Sequence, residues 1–485
     1  MNKRWLLTLF AVVPLLAGLM AIQSCAGVGG ATTDGGGGGG GSSTTAEFLA
    51  LLPIGQQDAT YIGNASCQAA GCHAPAAPGA KNPEHYDATT HAKKGVTCES
   101  CHGPGSKHKD GPGKENILTF PKVTSSAVCG QCHGPILDQY GYSKHIKLVE
   151  SPVVSATQSP AATRTSRCMA CHSGLFRTQI VEAGVDIPSM TDQAIKDIAN
   201  NTISSVPHVA VCSTCHDPHE QTGKLTDTGE EKQLRHKMFN TDTTQIAPGT
   251  TAAQFTTFDH GCAQCHNGRG TNPADSALTS SASRPSMHDS NQFNMLMGIG
   301  GSEGTGAVDR NTAHATAPGQ CSKCHMPDSR HSFTVSYDKG CSPCHTASDA
   351  AARSESIKSE ILNSLYTLKT RFETWAKARF GDEDLWDYSS LVSELGKTAP
   401  SQSLIPIELK RARHNYYFII RSGDFGVHNA PYAKTLIRVA NDNMTTLGMP
   451  ASKPTTGVSK ATMLKEIMDA KTRANRADLR EIEAP

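Results

Sequence analysis

The stretch Cys98-Glu99-Ser100-Cys101-His102 sets two cysteines three positions apart and places a histidine directly after the second. Six further segments repeat this C-x-x-C-H pattern, and an eighth, from Cys67 to His73, has four residues between its cysteines. The sixteen cysteines of the eight segments are Cys67, Cys72, Cys98, Cys101, Cys129, Cys132, Cys168, Cys171, Cys212, Cys215, Cys262, Cys265, Cys321, Cys324, Cys341 and Cys344. The histidines that follow them are His73, His102, His133, His172, His216, His266, His325 and His345. The seventeenth cysteine, Cys25, stands outside the pattern, so a complete set of internal disulfides is excluded.

C-x-x-C-H is the attachment signature of c-type haem. Its two thiols add across the two vinyl groups of a porphyrin, and the imidazole that follows is placed to bind the iron from one side. Zinc sites, redox dithiols and disulfides also use paired cysteines, but none requires a histidine at the next position. With 21 histidines in 485 residues, eight chance coincidences have a probability on the order of 10⁻¹¹. The pattern predicts eight covalently bound haem c groups, with two residues of the Cys67 segment looped out.

The composition favours a body built around cofactors. Hydrophobic residues make up 37% of the chain and aromatic residues 5%, and the segment from Cys67 to His345 is rich in Gly, Pro, Ser and Thr. No hydrophobic period in it is long enough to predict a helix or strand, and porphyrin faces can supply the apolar interior that side chains do not. Residues 47–347 are therefore predicted to form a loop-rich, haem-packed domain with short helices and little β-structure.

After residue 347 the pattern becomes that of amphipathic helices. Apolar residues recur at spacings of three and four at Ile357, Ile361, Leu365, Leu368, Phe372 and Trp375. Gly381 is placed to end this helix, and further helices are predicted near residues 406–421 and 431–447, the latter with Asn429 as its N-cap. A charged, alanine-rich tail from Ser459 is expected to be a surface helix. Residues 348–485 are predicted to form a helical C-terminal subdomain.

The N-terminus has the features of an export signal. Lys3 and Arg4 precede an apolar run from Trp5 to Ile22, and residues 1–24 are predicted to be a signal peptide; a retained membrane anchor is the alternative. The run ends in Ile-Gln-Ser-Cys25, which resembles a bacterial lipoprotein signal, and the resemblance implies that Cys25 is lipidated. Residues 25–46 include seven consecutive glycines and are predicted to be a flexible tether that reaches about 25 Å. The expected location is an outer membrane lipoprotein, at the cell surface or on the periplasmic face.

Thirteen histidines lie outside the eight segments, whereas eight irons need at most eight second axial ligands. Methionine could also serve, but the abundance of histidine favours bis-histidine haem of low potential. His91, His145, His288 and His314 are predicted distal ligands, and His208 is a further candidate. His260 precedes Cys262 by two residues and is placed to approach a haem from a neighbouring loop. The two predicted non-ligands are His85 and His236.

The chain resembles the multihaem c-type cytochrome superfamily over residues 61–447. That group includes hydroxylamine oxidoreductase, octahaem tetrathionate reductase, cytochrome c nitrite reductase and the outer-surface lipoprotein cytochromes of metal-reducing bacteria. The resemblance rests on the haem motifs and on the histidines that recur near them. It implies distal iron ligation by five more residues: His108, His219, His331, His414 and His428.

Two functions are compatible with this resemblance. The first is electron transfer through the haems to other c-type cytochromes or to extracellular acceptors such as metal oxides, which needs no catalytic residue. The alternative is a multihaem oxidoreductase that acts on nitrite, hydroxylamine or tetrathionate, which needs one haem with an open position. In the nitrite and tetrathionate reductases a lysine ligates the active haem, whereas every motif here ends in histidine, as in hydroxylamine oxidoreductase. Electron transfer is therefore favoured. The net charge of +1 gives no argument for nucleic acid, and homo-oligomers or filaments are compatible with the surplus histidines.

Overall fold

The computed structural model describes residues 46–69, 72–73, 83–119, 125–146, 171–174, 177–182, 210–243, 259–268, 270, 272–280, 287–310, 312–388, 392, 395–451 and 457–483. Cys25, Cys168 and His208 lie outside these residues, as do the predicted signal peptide and almost all of the predicted tether.

The described part of the chain before residue 347 consists of short helices joined by loops. The α-helices, numbered α1 to α14, are Ala46–Leu51, Asn64–Cys67, Pro83–Asp87, Thr90–Lys93, Cys98–His102, Ser106–Asp110, Ser125–Gly130, Gly134–Gly141, Cys212–Cys215, Asp275–Ser280, Gln292–Met297, Thr312–Ala315, Cys321–His325 and Tyr337–Gly340. Short 3₁₀ turns occur at Ile54–Gln56, Lys114–Asn116, Lys144–Ile146 and Pro327–Ser329, and a π-helical turn at Arg177–Val181. Among the described residues, β-pairing is limited to the isolated bridges His216–Leu234 and Leu225–Glu231.

Three of these helices begin at the first cysteine of a C-x-x-C-H segment: α5, α9 and α13. In α5 the hydroxyl of Thr97 accepts the backbone N–H of Ser100, and the Ser100 side chain accepts the N–H of Thr97. This capping box satisfies donors that a helix start leaves unpaired. Because residues three and four apart lie on one side of a helical turn, both cysteines and the histidine face the same way.

Four longer helices follow residue 346: α15 (Ala347–Phe380), α16 (Ile407–Ser422), α17 (Ala430–Thr446) and α18 (Lys460–Glu483). They occupy the segments in which the sequence predicts helices. Gly381, at φ 78°, ends α15, as predicted. The side chain of Asn429 accepts the N–H of Tyr432 at 3.1 Å, which confirms it as the N-cap of α17. In the described part of the chain, no helix has the length and apolarity needed to cross a membrane.

The main apolar core lies among these four helices. It includes the buried face of α15, at Ile361, Leu365, Leu368, Phe372 and Trp375. The described residues of the preceding region hold much smaller clusters, such as the one formed by Phe48, Leu52, Leu118 and Val128. Side chains alone therefore account for a conventional core only in the C-terminal helices.

Helix α16 packs directly on the segment that carries His288. The side chain of Asn291 donates to the carbonyl of Phe418 at 3.0 Å, and Gln292 donates to that of Ser422 at 2.9 Å. Arg421 returns a hydrogen bond from its guanidinium to the carbonyl of Met287 at 2.5 Å. Residues Ser42–Pro485 form one compact unit. The boundary near residue 347 stays a prediction about folding units.

Candidate haem-binding sites

Each motif histidine faces the ring of one other histidine. We number the sites 1 to 8 by the chain order of their cysteine pairs. From site 1 to site 8, the ring pairs and the distances between ring centres are His73–His108 (6.2 Å), His102–His219 (6.1 Å), His133–His91 (6.1 Å), His172–His288 (6.4 Å), His216–His331 (6.3 Å), His266–His145 (5.9 Å), His325–His428 (6.2 Å) and His345–His314 (6.5 Å). The eight partners are all different residues.

The spacing of these rings fits one metal ion between each pair. Two imidazole nitrogens that bond one ion at about 2.0–2.1 Å, with roughly 1.1 Å from nitrogen to ring centre, place the ring centres roughly 6.3 Å apart. Direct stacking of two rings does not need such a regular separation. The donor set at each site, two imidazoles with a cysteine pair beside one of them, suits a covalently attached haem with two axial histidines.

Two of the predicted distal candidates lie outside the eight pairs. Nε2 of His260 lies 3.0 Å from the side-chain oxygen of Gln320, and its Nδ1 accepts the backbone N–H groups of Cys262 and Ala263. Nε2 of His414 donates to the carbonyl of Gly300 at 2.8 Å. The structure thus gives both residues hydrogen-bonding roles in the protein interior. It places the predicted non-ligand His236 against the carboxylate of Glu182 at 3.0 Å.

The second nitrogen of several paired rings is held by the protein. Nδ1 of His102 donates to the carbonyl of Leu118 at 2.9 Å, that of His216 to Lys232 at 2.7 Å, and that of His325 to Phe333 at 3.1 Å. Such contacts fix the ring orientation and leave Nε2 as the nitrogen that can bind a metal. No local sequence pattern predicts these carbonyls, since each belongs to a residue 8 to 16 positions further along the chain.

Burial favours the neutral, metal-binding form of eight of these sixteen imidazoles. It lowers the pKa of His145 to about 4, with the neighbouring His266 acting in the same direction. Burial also lowers the pKa of seven other paired histidines: His91, His102, His216, His266, His314, His325 and His331. His428 differs: burial alone would lower its pKa, but the carboxylate of Asp424 raises it.

Cysteine side chains of different sites lie close enough together to interact. The interacting pairs are Cys67 with Cys98, Cys129 with Cys212, Cys262 with Cys321 and Cys265 with Cys171. These contacts make neighbours of sites 1 and 2, sites 3 and 5, sites 6 and 7, and sites 4 and 6.

Electrostatic interactions between thiols connect three more pairs of sites. Burial, and then the nearby thiol of Cys132, raise the pKa of Cys101 to about 11, which joins sites 2 and 3. Cys215 and Cys262 interact in the same way across sites 5 and 6. Sites 7 and 8 are adjacent because Cys324 interacts with Cys341, and its Sγ lies 3.8 Å from the carbonyl oxygen of Gly340.

The contacts define a spatial order that differs from the order in sequence. Sites 1, 2, 3, 5, 6, 7 and 8 follow one another, and site 4 lies beside site 6 through Cys171 and beside site 5 through Gly174. Site 6 thus touches three others, through Cys262 and Cys265.

Comparison with known proteins gives three kinds of match. The family model of cytochrome c554 and c-prime matches residues 55–103 and 128–192. The multihaem cytochrome MtrA of Shewanella baltica is 27% identical over 157 residues, which are 30% of this chain and 41% of MtrA.

Among solved structures, the undecahaem cytochrome from the S-layer of Carboxydothermus ferrireducens is 19% identical with a TM-score of 0.44, covering 74% of this chain and 51% of the other. The outer cell wall cytochrome OcwA is 18% identical with a TM-score of 0.44, covering 72% and 70%. The chain thus spans about two fifths of MtrA and about half of the undecahaem protein. Over part of its length the chain is thus similar to multihaem c-type cytochromes, and it carries eight segments with the haem-attachment pattern.

Proposed function

We propose that the chain is an electron-transfer protein that carries electrons through eight covalently bound haem c groups. The observation that carries the proposal is the set of eight histidine pairs, because each motif histidine has a second imidazole at the separation that one iron requires. On this proposal every iron has six ligands and none has an open position for a substrate. The oxidoreductase alternative, which needs an open position, is therefore disfavoured.

The residues of the chain have three tasks in this function. The cysteine pairs would attach the cofactors, and the histidine pairs would hold the irons. The carbonyl groups of Leu118, Lys232 and Phe333 fix the rings of three motif histidines. The haems supply the one-electron chemistry, and the protein sets their spacing, ligation and dielectric surroundings.

The order of the sites gives this function a route. We propose that electrons move along sites 1, 2, 3, 5, 6, 7 and 8, in either direction, and that site 4 exchanges electrons through its neighbours, sites 5 and 6. The partners at the two ends are proposed to be other c-type cytochromes or an extracellular acceptor such as a metal oxide.

Optical and electron paramagnetic resonance spectra of the purified protein test the proposal. We expect eight haems per chain by mass, and wholly low-spin, six-coordinate signals that do not change when nitrite, hydroxylamine or cyanide is added. A high-spin haem that binds one of these ligands would contradict the proposal and favour the oxidoreductase instead. A mass that corresponds to seven haems, with the thiols of Cys67 and Cys72 unmodified, would exclude site 1 as a haem site. The motif of site 1 is the one with the longer spacing between its cysteines.

We propose further that the chain is exported and held at a membrane surface through a lipid on Cys25. The support is the sequence around this residue: basic Lys3 and Arg4, an apolar run, and the only cysteine outside the haem motifs. In cells, Cys25→Ala should move the haem protein from the membrane fraction to the soluble fraction, because the lipid would be lost. A matched substitution of the adjacent serine, Ser24→Ala, should leave the protein in the membrane fraction. Unchanged membrane association of Cys25→Ala would show that lipidation of this residue is not the anchor.

A further inference from the structure

The loop between α16 and α17 brings a buried carboxylate to one of the paired histidines. It contains Gly423, Phe425 and Gly426, all with positive φ, so the chain turns back tightly within a few residues. A Cβ on Gly426 would lie 3.0 Å from that of Ala433, which leaves no room for a larger residue. The result is that Asp424 and His428, four residues apart, face each other at site 7.

Both carboxylate oxygens of Asp424 accept hydrogen bonds within this loop. Its Oδ2 lies 2.9 Å from Nδ1 of His428, although at a poorer angle than a regular hydrogen bond. The same oxygen accepts the backbone N–H of His428 at 2.8 Å, and Oδ1 accepts the hydroxyl of Ser422. The Asp424 side chain is only 8% exposed. A carboxylate among this many donors is ionised, because each donor favours the charged form.

The neighbours of the other rings make this contact distinctive. Nδ1 of His325, the opposite ring of site 7, donates to a neutral carbonyl, that of Phe333. His345 of site 8 also faces a carboxylate, with Nδ1 3.2 Å from Oδ2 of Asp349, but the Asp349 side chain is 42% exposed. Water screens an exposed charge much more strongly than a buried one. The full effect of a carboxylate is therefore expected at site 7.

We propose that Asp424 is a positioning residue that acts through His428 to lower the reduction potential of the site 7 haem. The inference rests on the proposed function and adds a role for a residue that binds neither iron nor porphyrin. A carboxylate next to Nδ1 makes the imidazole a stronger donor to its metal. The oxidised iron carries one more positive charge than the reduced iron, so the buried negative charge favours the oxidised state. Lys358 of α15 also interacts with His428 and acts in the opposite direction from further away.

The lowered reduction potential of site 7 affects electron transfer to site 8. Site 7 lies between sites 6 and 8, so every electron that passes between site 8 and the other sites must cross it. A low potential at site 7 makes it the uphill step of the route. Site 8 is thereby separated from the five sites before site 7 along the route, and it can hold an electron while they exchange theirs.

The test is a spectroelectrochemical titration of the full holoprotein carrying Asp424→Asn. The amide keeps an oxygen for the N–H of His428 but removes the charge, so one of the eight haem components should shift to higher potential while the others stay in place. Its low-spin resonance should also change, since the donor strength of His428 falls. Asp349→Asn is the control: the reduction potential of the site 8 haem should shift less in this variant than the potential of the site 7 haem shifts in Asp424→Asn. Superimposable titrations of Asp424→Asn and the parent protein would overturn the proposal.

A second variant covers the case in which Asp424→Asn loses haem or does not fold. The hydroxyl of Ser422 lies within hydrogen-bond distance of Asp424 and, at 2.7 Å, of the Ile419 carbonyl. Ser422→Ala takes one donor from the carboxylate and leaves more negative charge facing His428, so one component should shift to lower potential; an unchanged or raised potential would overturn the proposal. A haem count and the low-spin spectrum of the parent protein test the proposed function separately, and either can fail or hold whatever these variants show.

Discussion

Loss of the haem at site 6 should divide the protein into parts that no longer exchange electrons on the parent timescale. The change is Cys262→Ala together with Cys265→Ala, which removes both attachment points. Site 6 is the one that contacts sites 5, 7 and 4, through Cys215, Cys321 and Cys171. Without it, sites 1, 2, 3 and 5 stay connected to one another, while sites 7 and 8 are cut off. Transfer between the two ends should fall by orders of magnitude.

A photoreductant attached near sites 1 and 2 can measure this loss of electron transfer. Ile54 is 88% exposed, and Gln56 of the same turn donates to the carbonyl of His102 at 3.0 Å, so a label on Ile54→Cys lies close to sites 1 and 2. In the parent protein, repeated flashes should reduce the haems of all eight sites, and the haem of site 8 should fill last because its electrons cross site 7. In the site 6 variant, the haems of sites 1, 2, 3 and 5 should be reduced at the parent rate, and those of sites 7 and 8 should not.

The matched control removes the haem of site 4 and keeps that of site 6. Cys168→Ala with Cys171→Ala deletes the haem of site 4, which is absent from the proposed sequence 1, 2, 3, 5, 6, 7 and 8. All the remaining haems should then fill from the label at the parent rate. If loss of site 4 blocks reduction of sites 7 and 8, or if loss of site 6 does not, the order of sites proposed above is wrong.

The attachment motifs could be found in the sequence because their chemistry is local: two thiols and an imidazole within a single turn. The partners of the motif histidines could not be matched in the same way. His219 follows His216 by three residues, yet its ring faces His102. His331 follows His325 by six residues, yet its ring faces His216. Which two histidine rings face each other depends on the packing of loops that are far apart in the sequence. No periodicity or spacing of the residues predicts it.

The two histidines of the C-terminal helices show the same limit. His414 and His428 have similar sequence surroundings, and both are predicted distal ligands. His414 lies inside α16, where its Nε2 is used by the carbonyl of Gly300. His428 lies in the loop before α17 and meets the ring of His325. The helices themselves were predictable, because an apolar stripe and end signals such as Asn429 and Gly381 are properties of short segments.

Arg413→Ala should cause the largest loss of stability of any single substitution considered for the C-terminal helices. The side chain is 1% exposed, and its Nε and Nη2 donate to Oδ1 of Asp387 at 2.8 and 2.5 Å. The hydroxyl of Tyr417 donates to the other carboxylate oxygen at 2.7 Å. The guanidinium also lies 4.5 Å from the ring centre of Tyr417 and 5.0 Å from that of Tyr388. Removing Arg413 leaves a buried carboxylate without its cation.

The expected cost of breaking this pair is about 3–5 kcal/mol in the free energy of unfolding, the range found when one partner of a buried ion pair is removed. Guanidinium unfolding followed by far-UV circular dichroism measures it, since most of the long helices lie in this part of the chain. The neighbouring Arg411 provides the control, because it pairs with Asp275 at 2.8 Å on the surface. Arg411→Ala should cost less than about 1 kcal/mol.

A third variant separates loss of charge pairing from loss of packing. Arg413→Met combined with Asp387→Leu removes both charges and fills the space with apolar side chains, so it should recover most of the stability that Arg413→Ala loses. If instead Arg413→Ala costs no more than Arg411→Ala, the Asp387 carboxylate must find another partner or water once Arg413 is gone. In that case the ion pair would not hold the helical part together, and the aromatic contacts among Phe372, Trp386 and Tyr416, at 5.1–5.7 Å between ring centres, would have to carry that role.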